Sequence, residues 1–159
     1  MFNKNLNVKQ NYIITSIIKT KIGNFLLEFE KDNILKFLPT KRKAFLINGF
    51  AKNIENHVNN YFSGKENSFS FRLKPNGTNF QRKVWLEALK IKYGETCSYF
   101  DIANKISTSP RAVGNACAKN PCLLFIPCHR IINKNNVLGN YQMGINIKKI
   151  LLNLEKEAR

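Results

Sequence analysis

Apolar residues gather in three short runs, at 12–18, 24–30 and 33–38, separated by Lys21-Ile22-Gly23 and Lys31-Asp32-Asn33, which carry turn chemistry. Leu26, Phe29, Leu35 and Phe37 give the runs apolar faces, so the pattern predicts an antiparallel three-stranded meander. The period then changes. Phe50, Ile54, Val58 and Phe62 recur every fourth residue, with Ala51 and Tyr61 flanking the stripe and Gly64 stopping it, which predicts a helix over about Ala44–Phe62. Phe69 to Leu73 reads as a returning strand. Pro75-Asn76-Gly77 punctuates the chain, so a boundary is placed between residues 1–76 and 77–159.

The second half reads as mostly helical. Thr78 or Asn79 can cap a helix to about Lys92, with Val84, Ala88 and Ile91 on one face, Trp85 and Leu89 beside them, and Gly94 after its end. A helix from about Tyr99 to Ile106 follows. Ser109 suits an N-cap and Pro110 a first helical position, so another helix starts there and runs to about Lys119. Two short helices joined by a few residues predict a helix-turn-helix. In its second helix Arg111, Gly114, Asn115, Ala118 and Lys119 fall on the outward side, with Val113, Ala116 and Cys117 inward. Side chains that read base edges are scarce on that face, and its small residues permit close, sequence-tolerant contact of the kind the minor groove allows. Leu123 to Ile126 reads as a buried strand. The loop Leu138-Gly139-Asn140-Tyr141 and an amphipathic helix from about Asn146 complete the chain.

Charge changes the picture most. Twenty-six basic residues against ten acidic ones leave a net +16, which favours a polyanionic partner, nucleic acid before a membrane surface. With 43% hydrophobic residues the chain can bury a core, yet no run is long enough to span a bilayer and no signal peptide is legible. A soluble monomer, cytoplasmic or nucleoid-associated and without a membrane partner, is the expectation. The cysteines, Cys97, Cys117, Cys122 and Cys128, form no C-x-x-C pair, so neither a disulfide scaffold nor a metal site is expected, and no cofactor.

The candidate chemistry lies in Ile126-Pro127-Cys128-His129-Arg130. A free thiol is only a few per cent thiolate at pH 7, and a neighbouring base or cation is what makes it a reagent. Taken alone, a Cys-His pair describes a structural thiol beside a surface histidine more often than a reactive one.

The wider pattern resembles the O6-alkylguanine-DNA alkyltransferases (methylated-DNA–protein-cysteine methyltransferases). The resemblance covers about residues 77–155 and rests on GTNFQRKVW at 77–85, GETCSY at 94–99, SPRAVGNAC at 109–117 and NP at 120–121. IPCHRII at 126–132, GNYQMG at 139–144 and LLNLE at 151–155 complete it. Each motif is weak alone; their order and spacing are specific.

The resemblance implies an α+β fold. Its N-terminal part would be a small antiparallel sheet plus helix (ribonuclease H-like). Its C-terminal part would be mainly helical with a helix-turn-helix (winged-helix-like), carrying DNA binding and alkyl transfer. The implied partner is double-stranded DNA containing O6-alkylguanine, met in the minor groove. Cys128 would be the alkyl acceptor, linked by His129, through a water, to Glu155, an arrangement that keeps the thiol easily deprotonated. Asn120 would hold that network, and Tyr99 would press on the target phosphate and donate to guanine N3. Arg111 would fill the gap in the base stack, with Gly114, Ala118 and Lys119 on the same DNA-facing side. Tyr141, Met143, Gly144 and Pro127 would form the substrate pocket, and Arg130 would be structural, tying a strand end down. The sequence departs from the family pattern in a shorter turn before Arg111, in Met143 where small residues are common, and in an N-terminal half without the cysteines that bind zinc in some members.

Three other readings stay open at this point. An alkyltransferase-like lesion-binding protein would replace the nucleophile, which is present here. A helix-turn-helix regulator would give a sequence-specific footprint, and a Cys-His hydrolase would turn over an ester or amide.

Overall fold

The computed structural model describes residues 12–45 and 48–157. The three N-terminal runs form the predicted meander, β1 (Ile14–Thr20), β2 (Gly23–Glu30) and β3 (Asn33–Thr40), with Ile17 opposite Leu26 and Leu27 opposite Phe37. Phe25, Leu27, Phe29, Ile34 and Phe37 are all buried, and Phe25 stacks on Phe37 with ring centroids 4.6 Å apart. The returning strand is shorter than Phe69–Leu73. Only Arg72–Leu73 (β4) pairs, parallel to β3, because Phe69 and Phe71 turn their rings onto Phe125 at 4.9 and 5.7 Å.

The first helix, α1 (Gly49–Phe62), begins later than the apolar stripe predicts. Phe45 is held in an antiparallel bridge to Ile17, and the Asn48 side chain accepts the Ala51 amide as an N-cap, so the chain enters the helix only at Gly49. Of the helix expected from Ala44, positions 46 and 47 lie outside the described residues. The stripe itself packs as expected, with Ala51, Ile54, Val58, Tyr61 and Phe62 buried.

In the second half local capping sets the elements. Thr78 and Gln81 form a capping box at α2 (Asn79–Leu89), and Ser98 and Asp101 form another at α3 (Tyr99–Lys105). Ser109 caps α4 (Pro110–Cys117), with Pro110 at its start. Helices α3 and α4 pack against each other, each one or two residues shorter than the apolar pattern suggests. The Trp85 indole donates to the Ala116 carbonyl at 3.0 Å and ties α2 to α4. A two-residue parallel pair, β5 (Cys97–Ser98) with β6 (Ile131–Ile132), brings the start of α3 beside the Cys128 segment. The last helix, α5 (Ile145–Glu157), lays Lys148, Leu151 and Glu155 into the interior.

Leu123–Ile126 is buried but is not a strand. The Ile126 amide donates to Cys122 O at 2.9 Å and Leu124 adopts φ 70°, so the run curls into a tight turn. Asn120 makes that turn possible by acting as a backbone surrogate. Its Oδ1 accepts the Cys122 amide and its Nδ2 donates to Ile126 O, both at 2.9 Å. The turn hangs from the N-terminal sheet, with Phe37 N donating to Pro121 O and Leu123 N donating to Phe37 O at 2.8 and 2.9 Å. Among the described residues the fold is α+β, with a small, mostly antiparallel sheet and five α-helices, and one buried cluster takes residues from both halves. No helix among them is long and apolar enough to cross a membrane, and no group of His, Cys, Asp and Glu there could hold a metal ion.

Candidate active site

The turn at 122–127 delivers Cys128 onto a short 3-10 segment, Cys128–Arg130, at the floor of a cavity of about 540 Å³. Tyr99 from the start of α3, Arg111 and Gly114 from the outer side of α4, Ala118 just past its end, and Tyr141 from the loop before α5 line the same cavity. Arg111, Ala118 and Lys119 are exposed, though Lys119 lies outside the cavity wall. Cys128 is buried, and Asn120 Nδ2 donates to its sulfur at 3.3 Å. The neighbouring Cys117 thiol and burial push the Cys128 thiol well above its ordinary range, while Asn120 and Lys148 act in the opposite direction. The resting group is therefore a neutral thiol.

Behind the thiol lies a closed polar network. His129 and Glu155 have no exposed side-chain surface, and His129 Nε2 meets Glu155 Oε1 at 2.7 Å. Arg130 clamps the same carboxylate, its Nε 2.9 Å from Oε2 and its Nη2 2.9 Å from Oε1, while its Nη1 donates to Ile91 O at 2.7 Å. Gly94 N donates to Oε2 at 3.0 Å, and the Tyr61 hydroxyl, from α1, donates to Oε1 at 2.7 Å. Burial alone would raise the Glu155 pKa, but the His129 and Arg130 interactions outweigh it and hold it at about 2. Burial lowers the His129 pKa against the pull of Glu155, so the imidazole is neutral. An ionised Glu155 can only accept, which fixes the proton on Nε2 and leaves the lone pair on Nδ1. Among the described residues Nδ1 has no hydrogen-bond partner. The arrangement can take one proton from a thiol and hold the resulting imidazolium against a carboxylate.

Two phenols face the cavity from above. Burial raises both the Tyr99 and Tyr141 pKa values, so each is a hydroxyl donor, and among the described residues the buried Tyr141 oxygen has no partner. Lys148 reaches Tyr99 from below, its ammonium 3.5 Å from the Tyr99 oxygen and 2.5 Å from Ile131 O. Burial lowers its pKa to about 8. Gly139 is what lets Tyr99 sit there, since a Cβ at Gly139 would come within 2.7 Å of the Tyr99 ring. Gly139→Ala is expected to lower the unfolding free energy by about 1–3 kcal/mol in chemical denaturation, the usual range for overpacking a filled site.

Three residues assigned to the pocket from sequence do not line this cavity. Pro127 faces a separate cleft of about 430 Å³ beside Tyr93 and Arg130, because the turn at 122–127 directs it away from Cys128. Met143 packs against the core, and Gly144, at φ 88°, serves the turn into α5. Conversely, Lys148, Tyr61 and the Gly94 amide escape a sequence reading. The signal for Lys148 was present: with Glu155 it puts two charges on the stripe of α5 that also carries Leu151. Arg130 holds the carboxylate of the network, a larger part than tying down a strand end.

Residues 79–157 match the family model described as 6-O-methylguanine DNA methyltransferase, DNA binding domain. Over 150 residues the chain is 39% identical to the methylated-DNA–protein-cysteine methyltransferase of Methanosarcina mazei, covering 88% of this chain and 95% of that one. The crystal structure of Mycobacterium tuberculosis O6-methylguanine methyltransferase superposes with a TM-score of 0.82 at 32% identity, covering 93% of this chain and 95% of that one. That of Mycobacterium tuberculosis OGT in complex with DNA gives 0.82 at 34% identity, covering 91% and 93%. Similarity of this extent, over nearly the whole length of both chains, places the chain in the family of methylated-DNA–protein-cysteine methyltransferases.

Proposed function

We propose that the protein repairs DNA by drawing O6-alkylguanine out of the duplex and moving the alkyl group irreversibly to its own Cys128. The observation that carries this reading is a buried thiol on the floor of a cavity, with a neutral histidine held by an ionised carboxylate behind it. Residues 77–159 carry DNA binding and transfer, in a winged-helix-like arrangement, and residues 1–76 support them in a ribonuclease H-like one.

Guanine O6 lies inside the base stack, so the nucleotide must flip, at a cost of a few kcal/mol. Arg111, exposed at the start of α4 on the cavity rim, stacks into the vacated space and offsets part of that cost. The minor groove suits α4. A Cβ at Gly114 would meet only Tyr99, at 4.0 Å, so the fold itself does not demand glycine there, and a closely approaching backbone does. In the pocket the Cys128 proton passes, across a bridging water, to His129 Nδ1, and Glu155 stabilises the imidazolium. The thiolate attacks the alkyl carbon, a C–S bond forms, and the C–O6 bond breaks with its electrons leaving on guanine. Tyr99 donates to N3 of that developing anion, and the nearby Lys148 charge favours it; one well-placed donor contributes roughly 2.7–4 kcal/mol. The product is a thioether with no group beside it to hydrolyse it, so each molecule reacts once.

The direct experiment is incubation with duplex DNA carrying radiolabelled O6-methylguanine. Label should move to protein and plateau at one per molecule; label released to solvent would rule the reading out. Arg111→Ala should slow transfer from the duplex by roughly tenfold or more, about one stacking contact, and leave reaction with free O6-benzylguanine near the wild-type rate. Equal loss on both substrates would remove Arg111 from the flipping step.

A further inference from the structure

The N-terminal half reaches into the reaction centre through one atom. Tyr61 sits in the last turn of α1, 94 positions before Glu155, and its hydroxyl donates to Glu155 Oε1 at 2.7 Å. The residue is 1% exposed, with its ring packed between Phe62, Phe69 and Tyr93 at 5.3 to 5.8 Å. A buried phenol needs a partner, yet many backbone carbonyls could serve. This one spends its proton on the oxygen that His129 Nε2 also meets.

We infer that Tyr61 is a positioning residue for alkyl transfer, holding Glu155 Oε1 against His129 so that the imidazolium formed in the reaction has its counter-charge in place. The inference rests on the proposed transfer to Cys128. Without Tyr61 the donors left on Oε1 are His129 and two nitrogens of Arg130, at 3.1 and 2.9 Å. The guanidinium also holds Oε2, and its pull turns the carboxylate toward itself and away from the imidazole. Tyr61 opposes that pull as a neutral donor, so it orients the anion without cancelling its charge. Burial and the Glu155 charge both raise its pKa, so it stays protonated over the working range. The other groups facing the relay are Cys117 and Lys148 beside Cys128, Tyr99 and Tyr141 above it, and Arg130 and Tyr93 beside Glu155.

The test uses the full chain with Tyr61→Phe, which keeps the packed ring. The rate of Cys128 alkylation is followed against pH with iodoacetamide, read at the Cys128 peptide, and with free O6-benzylguanine. Loss of one hydrogen bond to a buried charge corresponds to about a tenfold lower rate at pH 7. The pH midpoint should move upward, because the imidazolium is less stabilised, and affinity for undamaged duplex should not change. In a Glu155→Gln background Tyr61→Phe should add no further loss, since the group it positions is gone. An unchanged rate and midpoint in folded Tyr61→Phe, or full additivity with Glu155→Gln, would overturn the inference. Should Tyr61→Phe fail to fold, 3-fluorotyrosine at position 61 keeps ring and hydroxyl as a stronger donor, and a midpoint identical to wild type would count against the role. Iodoacetamide involves neither DNA nor alkylguanine. A wild type that reacts with it but takes no methyl from DNA would therefore defeat the functional reading and leave the role of Tyr61 standing.

Discussion

Cys128→Ala is expected to abolish label transfer from O6-methylguanine DNA altogether while leaving duplex binding and folding intact. The loss should be total because no other thiol can take over. Cys122 is fully buried against the Leu35 carbonyl, with burial pushing its thiol up to about 12. Cys97 is also raised by burial and lies outside the cavity. Cys117 lines the cavity but has neither the Asn120 amide nor the His129–Glu155 relay assigned to it. Removing Sγ costs the fold little, since the Asn120 side chain keeps its bonds to Cys122 N and Ile126 O and the 122–127 turn survives. The measurement is protein-bound radioactivity after saturating exposure, beside an equilibrium binding assay on the same DNA. Residual transfer above background would place the acceptor elsewhere.

Glu155→Gln is expected to damage both stability and reaction. The carboxylate is the anion that clamps Arg130, which is 9% exposed, so the amide strips a buried guanidinium of that counter-charge. Breaking a buried pair by neutralising one partner costs about 3–5 kcal/mol, readable as a lower denaturation midpoint. The relay fails as well. An amide supplies no charge to stabilise the imidazolium and can present a donor to His129 Nε2, which unlocks the tautomer. General-base assistance contributes at least about 10²-fold, so transfer to free O6-benzylguanine should fall by about that factor.

The same carboxylate sets an acid limit in the wild type. Its pKa falls from 4.5 to about 2 on folding, so the unfolded chain binds the proton more readily. The stabilisation, about 3 kcal/mol, is complete above pH 4.5 and is lost as pH falls from there toward 2. His129, lowered by burial, adds a loss of the same sign below its ordinary value of 6.5. Unfolding free energies measured from pH 7 to pH 2 should decline first below 6.5 with His129 and then below 4.5 with Glu155, and the lower limb should flatten in Glu155→Gln.

How much of this was legible in the chain follows from the range of each interaction. The caps at Thr78, Ser98 and Ser109 act over three residues, so α2, α3 and α4 were readable from sequence. The meander was readable because its alternation and turns are local, and the family because IPCHRII and the motifs around it keep their order and spacing. Helix ends were read too long wherever a cap or bridge, such as Asn48 and Phe45, interrupted a continuing apolar stripe.

What only the tertiary structure decided are the contacts between distant positions. An apolar run such as Leu123–Ile126 has no period that separates a strand from a buried turn, and the choice fell to Asn120, whose side chain replaces the backbone partners a strand would have needed. Glu155 reads as an ordinary helical carboxylate until Tyr61, Gly94, His129 and Arg130 converge on it from three other segments. The amino-acid sequence by itself determined the Cys128-His129 pair and the capped helices around it, because caps, turns and motifs are local. The folded chain determined the burial of Cys128 and the partners of His129 and Glu155, because burial and charge belong to no residue alone and arise only when distant segments share one interior.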